Sequence, residues 1–172
     1  MTSPTWLNEA VGLRHHGFAA SVAKHAGILL AVWLITLMVY YPGLSGPFVF
    51  DDQYNITFNP AMAVVKLDAD SLVTASLAND SGPLKRPLPS LSFALNHYFA
   101  GGFDNTFAFK ITNLAVHLIN IGLIYWLSLL LLRRLSRTST NLSTLVPWLP
   151  MLIAAAWALH PVQLTSVLYV VQ

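Results

Sequence analysis

Two acids stand side by side at Asp51 and Asp52, in the stretch GPFVFDDQYNITFNP (46–60). Adjacent carboxylates repel each other and are costly to bury, so the pairing invites a chemical explanation. Three uses suit it. One carboxylate can take a proton from an attacking hydroxyl while its neighbour orients it or raises its pKa. The pair can hold a divalent cation that screens a phosphate leaving group. Or the acids can cap a helix or stay solvated in a loop. Further on, Lys85 and Arg86 form a basic pair. Arg in particular matches phosphate oxygens two at a time. Acids and bases in one loop fit attack by an acceptor on a lipid-linked phosphosugar.

A second polar pattern is periodic. Thr106, Lys110, Asn113, His117 and Asn120 recur at spacings of 4, 3, 4 and 3 in an otherwise apolar run. That rhythm places all five on one face of an α-helix. Polar groups in hydrocarbon need partners, so the stripe must face protein or a wet cavity. It either hydrogen-bonds a neighbouring helix or lines a reaction cavity at its outer end. His160, just before Pro161, is either a metal ligand or simply a hydrogen-bonding group at a helix end, since the residue before proline disfavours helix geometry. The chain has six His and no Cys, and no HxH or HxxxH pair occurs. Thiol chemistry and disulfides are thereby excluded. A metal at the acid pair stays open.

The elements that must carry these groups are membrane helices. The chain is 55% hydrophobic and 9% charged, against about 25% charged in an ordinary soluble domain. Residues 25–50 and 111–132 contain no Asp, Glu, Lys or Arg, and neither does anything after Arg137. About 20 apolar residues cross a bilayer, so the expected fold is an all-α integral membrane protein with three transmembrane helices, at 25–44, 105–135 and 144–161. A cytoplasmic amphipathic segment (1–24) precedes them, 136–143 is a cytoplasmic loop, and 162–172 begins a second external segment. With the N-terminus inside, Arg14, Lys24, Arg133, Arg134 and Arg137 fall on the cytoplasmic side against Glu9 alone, as the positive-inside rule prefers. The acid pair then opens a large external loop, 45–104. The net charge of +2 is small and scattered, which argues against nucleic acid as a partner.

Within that loop two short helices are expected. One is capped by Asp68 or Asp70; the other opens at Pro89 or Ser90 and closes at Gly101-Gly102. The apolar residues Leu91, Phe93, Leu95, Tyr98 and Phe99 suit a helix lying on the membrane surface. Asp104 or Asn105 can cap the second span.

Four blocks, YYPGLSGPFVFDDQYNITFNP, KRPLPSLSFALNHYFAG, FKITNLAVHLINIGLIYWL and AAAWALHPVQLTSVLYVVQ, resemble in order the N-terminal region of GT-C glycosyltransferases. The likeness is to the tetratricopeptide-carrying transmembrane O-mannosyltransferases and their bacterial relatives, and it covers roughly 38–172. It implies the N-terminal half of a polytopic enzyme using a polyprenyl-phosphate-linked sugar at the outer face of a bacterial inner membrane. By resemblance, Asp51-Asp52 supply the catalytic base, with a divalent cation or phosphate handled nearby. Lys85, Arg86 and His160 are then carrier-phosphate contacts, and Lys110, Asn113, His117 and Asn120 the polar stripe. Relatives often carry an acid shortly after the His-Pro pair, where this chain has Thr165. Such enzymes also have many more spans, so these residues alone are expected to be inactive and to need other membrane chains. The non-enzymatic alternative is an accessory or scaffold subunit of a larger membrane complex.

Overall fold

The structure is a computed structural model that describes residues 5–79, 86–136 and 148–171, with side chains from residue 21 onward. Among them the regular elements are all helical. They are α1 (Thr5–Tyr40), α2 (Ala69–Ser76), α3 (Pro87–Ala100), α4 (Thr106–Leu135), α5 (Leu149–Ala158) and α6 (Gln163–Leu168), with single turns at Tyr41–Gly43, Gln53–Thr57 and Pro60–Met62.

Among the described residues two segments are long and apolar enough to cross a membrane, Ser21–Gly43 and Thr106–Leu135. In the most apolar 18-residue stretch of each, only 11% of the first and 28% of the second is buried within the chain. A core helix of a soluble protein would be mostly covered, so these apolar surfaces ask for a membrane or other helices. The expected third span is different. Its described part, α5, has 10 residues, about 15 Å of helix, well short of the roughly 30 Å hydrocarbon core. Residues 137–147, including the expected start of that span, lie outside the described residues. At the N-terminus the expected amphipathic segment and first span are one helix of 36 residues. No proline stands at the junction, and a lone Gly27 is tolerated inside a helix.

The chain forms two compact units. The first comprises Met1–Ile35 and Ile121–Ala156, the second Thr36–Asn120 and Trp157–Gln172. In the first, parts of α1 and α4 run together, Gly122 lying where its missing side chain leaves room beside Leu29 and Trp33. The second holds the cores. Ile56, Met62, Phe93, Phe109, Val170 and Val171 form one buried cluster, Tyr40, Leu44, Leu114 and Val167 another. Val64, Ala75 and Ala94 seat α2 on α3.

Caps explain the element ends. The Asp68 side chain accepts from the Ser71 N–H at 2.8 Å and starts α2. Asn105 accepts from the Ala108 N–H at 3.3 Å at the head of α4. Gly101, with φ +76°, closes α3 in a left-handed turn that suits a residue without Cβ. α3 opens earlier than expected, at Pro87, and Phe93 and Ala94 on it are buried in the unit's cores. Phe99 is left exposed. The helix therefore divides its apolar residues between the protein interior and the outside, instead of laying all of them on a membrane surface.

Candidate functional site

The acid pair is split by the fold. Asp52 is fully buried, while Asp51 is exposed. Both Asp52 oxygens are engaged by backbone. Oδ1 accepts from the N–H groups of Val170 and Val171 at 3.1 and 2.7 Å, and Oδ2 from Val49 at 3.2 Å. The carboxylate thus ties the loop after α1 to a segment 118 residues further along. Asp51 offers its backbone carbonyl to Asn55 Nδ2 at 2.9 Å, and its side chain stays outside. Of the two, Asp51 has the access that a general base needs. Asp52 has none until it gives up a backbone partner.

Lys110 answers Asp52 from α4. Its ammonium is nearly buried and donates to the carbonyls of Gly46 and Pro47 at 2.9 and 3.1 Å. The two opposite charges lie close enough to attract. Gly46 permits this approach, because a Cβ there would stand 3.2 Å from Nζ. The stripe continues inward. Asn113 donates through Nδ2 to the Tyr169 carbonyl at 3.1 Å. His117 is buried, stacks on Trp157 with ring centroids 4.9 Å apart, and donates from Nε2 to the Ala158 carbonyl at 3.1 Å. Tyr40 donates to the same oxygen at 3.3 Å. That carbonyl ends α5 and has no helical partner, so His117 and Tyr40 together satisfy it. Asn120 is half-buried where the second unit's share of α4 ends.

Beside the stripe, within the second unit, lies a cavity of about 530 Å³. Arg86, Leu88, Pro89, Ser92 and Phe93 from the start of α3 form one wall. Asn113 and Val116 of α4 form another, and Ser166, Val170 and Val171 a third. Asn113 lies seven residues into α4, about 10 Å along the helix from its head. Thr112 Oγ1 donates to Asn96 Oδ1 at 2.9 Å and fastens α4 to α3. The lining is mainly apolar, Arg86 is its one formal charge, and no acid lines it among the described residues. In the first turn of α3, Pro87 and Pro89 carry no N–H and the Ser90 N–H bonds the Arg86 carbonyl at 3.1 Å, so Leu88 alone can offer a backbone donor there.

Arg86 itself has φ +39°, and Phe50, the residue before the acid pair, has φ +51°. These are the two left-handed non-glycine residues among the described ones. Such backbone costs about 1–3 kcal/mol and collects at functional sites. Nothing in the residue types at 50 or 86 announces it.

The remaining candidates are not gathered here. Lys85 lies outside the described residues. His160 is exposed, does not line the cavity, and accepts from the Val162 N–H at 3.2 Å through Nδ1, closing the turn after α5. Nor does a cation site assemble at the acid pair. Among the described residues no three His, Cys, Asp or Glu side chains come together, and both oxygens of Asp52 are already taken. Missed by sequence reasoning were Ser92, Val116 and the Val170–Val171 wall, which carry no motif and meet only through the fold.

No family model, curated protein or solved structure matches the chain.

Proposed function

We propose that the second unit is the carrier-binding part of a glycosyltransferase that moves a sugar from a polyprenyl phosphate to an acceptor at a membrane face. One observation carries the reading: a single guanidinium lines a mainly apolar cavity whose wall includes one turn of a helix long enough to span a bilayer. An amphiphile with an anionic head and a hydrocarbon tail has that shape. Arg86 pairs with the phosphate, the Asn113 amide oxygen accepts from a hydroxyl of the sugar, and Leu88, Phe93 and Val116 take the first isoprene units. The resemblance of the four sequence blocks to GT-C enzymes supports the same substrate class.

In transfer, Asp51 accepts the proton of the acceptor hydroxyl. The hydroxyl oxygen bonds to the anomeric carbon as the carbon–oxygen bond to phosphate breaks, and polyprenyl phosphate leaves with the electron pair, its charge met by Arg86. Asp52 and Lys110 hold the cavity wall and touch no substrate.

The test is photo-crosslinking of a diazirine-bearing polyprenyl phosphate to the purified chain. The wild type and Asp51→Asn should label equally, because Asp51 acts after binding. Arg86→Gln should lose most of the label. Labelling no stronger than that of phosphatidylcholine carrying the same group, or an unchanged Arg86→Gln, would leave the scaffold role as the better account.

A further inference from the structure

The first unit contains a groove of its own, about 400 Å³, between its portions of α1 and α4. We infer that this groove is a binding site for an anionic phospholipid, the headgroup phosphate resting on Arg133 and an acyl chain lying along Leu29, Gly122 and Trp126. This is independent of the carrier reading, since it concerns other residues in the other unit.

The floor of the groove is a built polar relay. Arg133 Nη2 stands 3.0 Å from His25 Nε2. A guanidinium can only donate, so Nε2 accepts and the ring proton sits on Nδ1. From there it is donated to the Tyr125 hydroxyl oxygen. The Tyr125 O–H is thereby left with a proton to give, and the imidazole is neutral. The Arg133 charge is held in place but not cancelled. Lys24, next to His25 in sequence, places its ammonium 5.4 Å from the centroid of the Trp148 ring, and Arg134 is exposed alongside. No Asp or Glu occurs among the described side chains of this unit.

A helix C-terminus welcomes a cation in its last turn, which accounts for having Arg133 and Arg134 there. It does not account for one of them being locked through His25 to a buried Tyr125 at the end of an apolar groove. Charge complementarity selects the occupant. A neutral helix of another protein would fill the apolar part and leave the guanidinium unmatched. Anionic lipid matches both, and basic pockets between membrane helices hold such headgroups. Gly122 keeps the groove open. A Cβ there would be 3.8 Å from Trp33 Cζ2 and 3.9 Å from Leu29 Cδ2, so alanine fits and anything longer enters the lipid's space.

The experiment is native mass spectrometry of the chain in detergent, titrated with phosphatidylglycerol or phosphatidylcholine. Phosphatidylglycerol should be retained at least about fivefold better, the effect expected of one cation near an anionic headgroup. Arg133→Gln should abolish that preference, and Arg134→Gln, outside the groove, should keep it. Gly122→Leu should lose the lipid with every charge in place, its fold checked by circular dichroism. Equal retention of the two lipids overturns the proposal. So does an equal loss in Arg133→Gln and Arg134→Gln, which would mean diffuse surface attraction. Full binding by Gly122→Leu, or a dimer that excludes lipid, would also overturn it.

Discussion

In the second unit an acid is buried completely and an ammonium almost so, and each meets backbone groups. In the first unit the described cations are exposed, two in the last turn of α4 and one midway along α1, and Arg133 and Lys24 meet a side chain and a ring. The difference follows from what each unit contains. The second has loops and short helices, whose unpaired N–H and C=O groups must be satisfied once covered. Asp52, Lys110, Asn113 and His117 satisfy them. The first has two long helices that pair their own backbone, so its polar side chains are free for each other and for a ligand. Polar residues near membrane helices thus serve as mortar in one unit and as a docking point in the other.

The comparison breaks most sharply at the two adjacent acids. Asp52→Ala should strip the partner from three N–H groups, two of them on buried residues, and leave Lys110 without its counter-charge. The expected loss is about 3–5 kcal/mol. It should appear as a lower thermal midpoint in detergent and as faster amide exchange at Val170 and Val171. Asp51→Ala, one residue away but exposed, should change stability by no more than about 0.5 kcal/mol. Equal losses in the two variants would mean that Asp52 is not the mortar.

Lys110→Met comes next. It keeps the unbranched shape of the side chain one atom shorter, removes both hydrogen bonds to the Gly46 and Pro47 carbonyls, and leaves Asp52 unbalanced. A cost of about 2–4 kcal/mol is expected. The double variant Lys110→Met with Asp52→Asn should recover part of it, because the buried charge then goes as well. A double variant that loses the full sum of the two single losses would argue against coupling between these residues.

How much of this was legible in the residues differs element by element. The second span was expected at 105–135 and is Thr106–Leu135, because charges at both ends and the Asn105 cap mark it. The polar rhythm of α4 was equally plain, and Lys110, Asn113 and His117 do reach partners outside their helix. Those partners are carbonyls of Gly46, Pro47, Tyr169 and Ala158, and a backbone group leaves no trace in residue type. For the same reason the pair Asp51-Asp52 read as one unit of chemistry, when three N–H groups far apart in sequence claim one member. The cavity was invisible too. Its walls come from four stretches that share no motif, and only Arg86 and Asn113 had been singled out as site residues.

His117→Phe is a finer test of the mortar idea. The ring can still stack on Trp157, while the hydrogen bond to Ala158 is lost. Tyr40 still serves that carbonyl, so the cost should be about 1 kcal/mol. Adding Tyr40→Phe should cost more than the sum of the two single changes, because the end of α5 would then have no donor. A simply additive double variant would mean that water reaches the carbonyl.

The smallest expected effect lies outside the spans, at Asp68. Its hydrogen bond from the Ser71 N–H holds the carboxyl below its ordinary value of 3.8. A carboxylate whose folded pKa is depressed adds stability above the unfolded value, and that stability is lost as pH falls through the folded one. The start of α2 should therefore be fully capped at neutral pH and loosen only at a pH below 3.8. Because Asp68 is exposed, the change should stay local, visible in the Ser71 amide shift and not in the thermal midpoint. Asp68→Asn can still cap a helix but does not ionise, so it should remove the titration and keep the helix. A Ser71 shift that titrates unchanged in that variant would assign the transition to another acid, with Asp70 in the same turn the first to examine.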